Sequence, residues 1–471
     1  MELGELKNRV LRRLRPSVEE RRRVEEVVKL VEERALEEAR RLGVDLEVSV
    51  EGSIAKDTWI SGDKDVDVFL KLPRELGRRG LEEVGLKIAR AAAGGDYIES
   101  YAEHPYIQAF ISGYRVDIVP CYRLDRLEGE VTAVDRTPFH TAFIKSRLDE
   151  RLKDEVRLLK GFMKGCGVYG AEIKVQGFSG YLCELLVLSY GGFEEALRAA
   201  SEWRPGEVVL DPAGHYHDLE EPRRLFNQPL VVVDPVDARR NVAAALSLQK
   251  MAEFSAASRL FLAKPSELFF HPPPPRALTR EALGKALEER GTHLAALEVP
   301  VARMAPDILW GQLHKSLEGL ETLLLNEGFE VLDKGAWSDE ERVAVFTFEL
   351  AHVKLPRLKR QLGPPPQLGE HESKFLLRHL GRDLKGPRLE GWRWVSYPSR
   401  RLVDVAEVLM REGARARLGR AVAEGLRKGR VYVDVEVAEL LDKYEGYREH
   451  LSELLDGRPR WLRAYEEASR G

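Results

Sequence analysis

Apolar and polar positions follow two rhythms along this chain, and the change between them marks its elements. Over 17–42 the apolar residues Val24, Val27, Val28, Val31 and Leu36 recur at the spacing of a helix with one buried stripe. Ser17 and Glu20 stand at capping-box spacing before it, and Gly43 follows its last turn. From Leu46 the period drops to two. Leu46, Val48 and Val50 predict a strand over 46–51, and the run from Asp65 to Leu70 predicts a second over 65–71. A Gly52-Ser53 turn and a short helix near 54–60 connect them. A helix over about 81–93 stops at Gly94-Gly95. Strands over 97–103, 106–112 and 114–120 then complete a mixed sheet, with Ser112-Gly113 turning the last hairpin.

After residue 150 the pattern turns helical. The helix over 150–164 carries Val156, Leu159 and Met163 on one side, and a small-residue entry at Ser179-Gly180 opens a second over 181–188. Arg239, Arg240 and Asn241 stand at the head of an apolar segment over 242–248, read as a helix start. The prolines at 272–275 mark a linker, since they cannot continue a helix. Beyond them the pattern predicts helix 279–289, strand 293–301, helix 307–327 and strands 328–335 and 342–352. The prolines at 364–366 break the chain again before helix 369–379, an aromatic strand over 392–397, and helices through 404–426 and 436–454. The fold class is α+β multidomain, with an α/β head over 1–150, a helical neck over 151–268, and a small α+β body with a helical tail over 269–471. No internal repeat is visible.

Composition narrows the class. At 471 residues, with 44% hydrophobic and 32% charged positions, the chain can bury several cores and is globular rather than disordered. No apolar run approaches the ~18 residues of a membrane span, so no membrane partner is expected. The charged first fifteen residues lack a signal-peptide core, and a cytoplasmic location is the expectation. Cys121, Cys166 and Cys183 are odd in number and far apart, which argues for buried thiols over disulfides or a zinc cluster. The net charge of −4 does not by itself suggest an RNA partner, but distribution matters more than the sum. The stretch 411–430 sets seven Lys and Arg residues, Arg417 and Arg420 among them, against Glu412 and Glu424. It is a candidate phosphate-contacting surface, with a solvated helix face as the alternative. Trp392, Trp394 and Tyr397 read mainly as core packing.

The chemistry concentrates at 51–70. Asp65 and Asp67 are two apart on a strand, so both carboxylates leave the same face. They repel unless a cation lies between them; two solvated acids on an edge strand are the alternative. The Gly52-Ser53 turn can bring backbone N–H groups against phosphate oxygens. Asp117, in the strand VDIVP, is a third acid whose apolar neighbours make it costly to bury unpartnered. Three strand-borne carboxylates converging on one place fit a two-metal site for in-line displacement at phosphorus. Lys160 and Tyr169 could serve as a point charge and a hydroxyl donor for phosphates, or be a snorkelling lysine and a turn tyrosine.

GS followed by DVDVFL and a later strand Asp is similar to the polymerase-β-like nucleotidyltransferase superfamily. Longer motifs are similar to archaeal-type (class I) CCA-adding enzymes: AEHPY (102–106), VDIVPCY (116–122), AVDRTPFH (133–140), EVRLLKGFMK (155–164), VYGAEIKVQGFSGYLCELL (168–186) and VDPVDARRNVAAALS (233–247). The resemblance implies a template-independent CTP(ATP):tRNA nucleotidyltransferase that adds or repairs the 3′-terminal CCA and releases pyrophosphate. It implies two Mg²⁺ on Asp65, Asp67 and Asp117, and nucleotide contacts from Gly52, Ser53, Lys56, His140, Lys160 and Tyr169. Arg240 would read the edge of the incoming base. The implied partners are CTP, ATP and the acceptor and T arms of tRNA, with a homodimer among the assemblies it allows. Two positions depart from the pattern: relatives often carry Glu where Asp65 stands and Arg where Lys56 stands. A poly(A)-adding relative is the alternative enzyme, and a non-catalytic RNA-binding module the alternative of another class.

Overall fold

The computed structural model describes residues 3–101, 105–127 and 133–470. Residues 102–104 of AEHPY, and with them the end of the strand expected over 97–103, lie outside the described residues. The chain divides into two compact units, one of residues 1–273 and 458–471, the other of residues 274–457. The division falls within the proline linker.

The first unit opens with a helix not anticipated from the sequence, Leu3–Leu14, which buries Leu6, Val10, Leu11 and Leu14. The helix Val18–Leu42 follows, with the Ser17–Glu20 capping box formed and Gly43 left-handed at its end. Five strands form one sheet in the order β1-β2-β5-β4-β3: β1 Glu47–Glu51, β2 Asp65–Leu72, β3 Tyr97–Tyr101, β4 Pro105–Ile111 and β5 Tyr114–Tyr122. β2 runs antiparallel to β1 and parallel to β5. Period-two alternation sends Val66, Val68, Val116 and Ile118 into a core shared with Val24, Val27 and Val31 of the Val18–Leu42 helix. The same alternation sends Asp65, Asp67 and Asp117 to the opposite face.

A second core lies in the same unit, built by the helices Glu150–Cys166, Gly180–Tyr190, Phe193–Ser201 and Leu248–Ala263. Phe162 stands at its centre, with ring contacts to Phe193, Phe254, Phe261, Phe269 and Phe270. The last helix, Arg460–Arg470, buries Trp461 and Ala464 in this core. It thus joins the first unit, whereas the sequence places the tail with residues 269–456.

The segment 151–268 is not wholly helical. It holds a three-stranded sheet of β6 Val208–Leu210, β7 Leu230–Asp234 and β8 Asp237–Asn241. The helix expected over 242–248 is a series of turns, and helix begins only at Leu248, capped by Ser247. Arg240 is therefore a strand residue. Pro235 and Val236 leave only the short turn that folds β8 back on β7.

In the second unit β9 His293–Pro300, β10 Val331–Ser338, β11 Val343–Leu350 and β15 Arg430–Val433 form a sheet of order β10-β11-β9-β15. The helix Pro306–Glu327 packs on it through Leu313, Leu320 and Leu324. Gly328, left-handed with φ of 102°, caps that helix, so β10 begins at Val331 rather than 328. A second sheet joins β12 Gln361–Leu362, β14 Arg393–Tyr397 and β13 Lys385–Glu390. The helix expected through 404–426 is two pieces, Val405–Glu412 and Arg420–Gly425, and that over 436–454 divides at the extended Tyr444.

Candidate active site

The turn between β1 and β2 sets the site's geometry. Gly52 has φ of 66°, a left-handed conformation that glycine adopts without strain. A Cβ built on Gly52 would stand 2.0 Å from Oδ2 of Asp67, so only a residue without a side chain lets that carboxylate pass. The short helix is Gly52–Ala55, carrying a half-buried Ser53. It stops before the expected residue 60 because Asp57 is left-handed and the Thr58 N–H bonds back to the Ser53 carbonyl at 2.9 Å.

Asp67 lies opposite Asp117 in the parallel β2–β5 register, and Asp65 opposite Arg115. Burial, reinforced by the charge of Asp117, pushes the Asp67 carboxyl up to about 6. Burial also raises Asp117, although the Gln108 amide donates to its Oδ1 at 3.1 Å. Asp65 is exposed, and its Oδ1 lies 3.0 Å from Nε of Arg115. Among the described residues no group of three His, Cys, Asp or Glu side chains is preassembled around one point. Two acids share the buried end of the site while the third is held aside by an arginine. The set nevertheless fits a hard divalent cation: its donors are carboxylate oxygens, and a cation would offset both the burial and, second to it, the Asp117 repulsion that elevate Asp67.

Behind the turn lies a buried ionic cluster. Lys56 Nζ is 2.5 Å from Glu184 Oε2 and 5.5 Å from the centroid of the Tyr181 ring. Lys160 is 1% exposed and donates to the carbonyl and hydroxyl of Thr58, each at 3.1 Å, and to Glu184 Oε1 at 3.3 Å. It sits in the interior rather than at the rim of an open cleft, and burial holds its ammonium below the usual lysine range. Burial alone would raise Glu184, but Lys56, Lys160 and the Thr58 hydroxyl outweigh it and keep the carboxylate ionised. Tyr169 is largely enclosed, its hydroxyl raised chiefly by burial, and the Lys164 ammonium lies 5.2 Å from its ring centroid. Arg157 ties the loop down, donating to the carbonyl of Trp59 at 3.2 Å and to that of Asp57 at 2.5 Å.

His140 and Arg240 meet on one acid. Asp234, at the end of β7 and 0% exposed, accepts from His140 Nε2 at 2.9 Å and from Arg240 Nη1 at 2.6 Å. The Tyr181 hydroxyl reaches its other oxygen at 3.4 Å, and the Tyr181 ring stacks on His140 with centroids 4.3 Å apart. Burial lowers the His140 pKa, so the imidazole is neutral and its Nε2 carries the proton donated to Asp234. Asp234, Glu184 and Tyr181 were not singled out from the sequence. The signal lay in the quoted motifs: each acid is embedded in an apolar run, which demands a cationic or donor partner.

In the second unit, Arg417 lines a cavity of about 420 Å³ with Lys315, Thr322 and Asn326, while Arg420 pairs with Glu424 at 2.8 Å. Arg411, Arg415 and Arg430 also have acidic partners, so much of the 411–430 charge is internally matched. Trp392 is 68% exposed and Trp394 half-buried; their indole N–H groups donate to Gln367 and Glu372.

Three family models match in succession. Residues 32–147 match a nucleotidyltransferase domain, 154–271 the second domain of tRNA nucleotidyltransferases and 290–434 the C-terminal domain of CCA-adding enzymes. Enzymes of the nucleotidyltransferase class work with a divalent metal ion and nucleoside triphosphates. The CCA-adding enzyme of Halobacterium salinarum is 43% identical over 367 residues, 78% of this chain and 79% of its own. That of Methanothermobacter thermautotrophicus is 40% identical over 425 residues, 89% of this chain and 91% of its own. A crystal structure of the Cid1 poly(U) polymerase aligns with 57% of this chain and 99% of its own, at 17% identity and a TM-score of 0.44. No described helix is long and apolar enough to cross a membrane. With relatives this similar over most of their length, and the domain models following one another along one chain, the protein belongs to the archaeal CCA-adding enzymes, a family of tRNA nucleotidyltransferases.

Proposed function

We propose that this chain adds or repairs the 3′-terminal CCA of tRNA without a template, taking CTP and ATP and releasing pyrophosphate. The observation that carries the reading is the in-register pair Asp67 and Asp117 on β2 and β5, closed over by the left-handed Gly52 turn. Asp65, Asp67 and Asp117 would hold two Mg²⁺, which supply charge neutralisation for the transferring phosphoryl group and acidify the attacking 3′-hydroxyl. Asp65, paired with Arg115 here, would have to leave that partner to join them. Gly52 and Ser53 present backbone N–H groups to the triphosphate, with positive charge from Lys56 and Lys160 and a hydroxyl from Tyr169.

Arg240 is the base-reading residue in this proposal. One of its terminal nitrogens is fixed by Asp234, which orients the guanidinium plane and leaves its other donors for the base edge. His140, neutral and stacked on Tyr181, is held beside Arg240 by the same acid. In domain terms, residues 1–150 carry the chemistry, 151–268 select the nucleotide, and the C-terminal part, bounded as the unit 274–457, holds the acceptor and T arms of the tRNA.

A direct test is incubation of the protein with Mg²⁺ and a tRNA lacking its CCA, giving CTP alone, ATP alone, or both. CTP alone should extend the RNA by two nucleotides, and ATP should then add one. Extension by repeated ATP incorporation without CTP would assign the chain to a poly(A)-adding activity instead.

A further inference from the structure

We propose that Glu184 is a positioning residue that fixes the ammonium groups of Lys56 and Lys160 where the nucleotide's triphosphate binds. The inference rests on the assignment of those lysines to phosphate binding.

Glu184 sits on a helix whose other buried members are Leu182, Cys183, Leu185, Leu186 and Val187. A carboxylate 0% exposed among such neighbours is retained only if its partners compensate the lost hydration. It has three. Lys56 and the Thr58 hydroxyl each donate at 2.5 Å, and Lys160 donates at 3.3 Å. These donors come from two separate elements, the loop that follows the Gly52 turn and the helix Glu150–Cys166. Glu184 is thus, beside Arg157, a point at which the phosphate turn is tied to the nucleotide-selecting core of the same unit.

The stoichiometry also matters. Two ammoniums face one carboxylate, so the cluster keeps a surplus positive charge. Without Glu184 the two cations would repel across a region of low dielectric, and Lys56 would lose its anchor. Lys160 donates three hydrogen bonds, its full complement, two to Thr58 and one to Glu184. Lys56 shows one such bond, to Glu184, which leaves two of its N–H donors for phosphate oxygens. Gly180 admits this packing: a Cβ there would lie 3.0 Å from the Tyr169 hydroxyl and 3.6 Å from Lys160 Nζ.

The test is steady-state kinetics of nucleotide addition to a tRNA lacking CCA, using Glu184→Gln, Thr58→Val, Lys160→Ala and the Glu184→Gln/Lys160→Ala double variant. Glu184→Gln should raise KM for both CTP and ATP about tenfold, the fold-change of one charge-assisted hydrogen bond. The KM for tRNA should stay within about twofold, since no RNA-binding group is removed. Thr58→Val, which keeps shape and removes one donor to Glu184, should raise nucleotide KM less and in the same direction. In the double variant Glu184→Gln should add less than it does alone, because both act through one cluster. An unchanged nucleotide KM in Glu184→Gln, beside a raised one in Lys160→Ala, would overturn the proposal and leave the phosphate assignment standing. Lys56→Ala, measured in the same series, completes the control: unchanged nucleotide KM in both Lys160→Ala and Lys56→Ala would overturn that assignment itself, and this inference with it. Should Glu184→Gln fail to fold, Thr58→Val decides: a nucleotide KM equal to wild type overturns the proposal.

Discussion

Asp67 is a residue whose placement costs the fold stability, as expected of a group kept for the chemistry proposed above. Its folded-state pKa of about 6 lies above the usual 3.8, so the metal-free native state holds the proton more tightly than the unfolded chain does. Stability is then complete at low pH, falls as pH rises from the unfolded value to about 6, and stays reduced above that. The penalty is on the order of 2–3 kcal/mol. Asp67→Asn should therefore raise the melting temperature of EDTA-treated protein at pH 7, with the difference shrinking toward pH 4. Equal melting temperatures at pH 7 would contradict the origin assigned to the shift. Base choice also resolves at this scale. Arg240→Ala should lower kcat/KM for CTP and ATP by the equivalent of about 1–3 kcal/mol and narrow the gap to UTP and GTP. Asp234→Asn, which loosens the same guanidinium, should act in the same direction. The placement of Asp65, Asp67 and Asp117 on one face of the sheet was legible, because Asp65 and Asp67 stand two apart on one strand and Asp117 interrupts an apolar strand where an unpartnered acid is costly. Asp234 was not, because its meaning depends on His140, a partner 94 positions away that only the fold brings near.

Elements with strong local signals were readable, and those defined by remote packing were not. The Ser17–Glu20 box and Gly43 bound one helix to the residue, because caps are satisfied locally. β6 has only three residues and pairs with β7 across an intervening helix, so no periodicity announces it. The basic face of Leu3–Leu14 concealed its apolar stripe; Arg9 and Arg13 are anchored on Glu267, and Arg15 on Asp154. At the Gly52 turn the element itself is testable. Gly52→Ala adds a Cβ that collides with the Asp67 carboxylate and strains a φ of 66°. Nucleotide addition should fall by about 100-fold or more, as expected when reacting groups are displaced by an ångström, and circular dichroism should show the sheet retained. Addition within a few-fold of wild type would mean that the turn tolerates displacement of Asp67.

For the whole molecule, the prolines at 272–275 announced where the chain passes from one compact unit to the other. The return of the Arg460–Arg470 helix to the first unit was not legible, because Trp461 finds its core about 200 residues upstream of itself. RNA recognition belongs to this scale, since every tRNA must be accepted and readout by shape and phosphate suits that demand. A minihelix of acceptor and T arms should be a competent substrate. Arg417→Ala with Arg420→Ala should weaken different tRNAs equally and reduce the salt slope by roughly 0.7–0.9 for each phosphate deprived of its cation. Equal slopes would remove 411–430 from the RNA surface.

The carboxylates of β2 and β5 carry the central claim, and the most direct measurement is the rate of CMP addition by Asp67→Asn and Asp117→Asn with tRNA affinity measured in parallel. Addition should be abolished while the tRNA Kd stays within a few-fold, because the loss concerns transition-state charge and not the RNA surface. A variant that kept even about a tenth of the wild-type rate, a loss far below that of a metal ligand, would contradict the site.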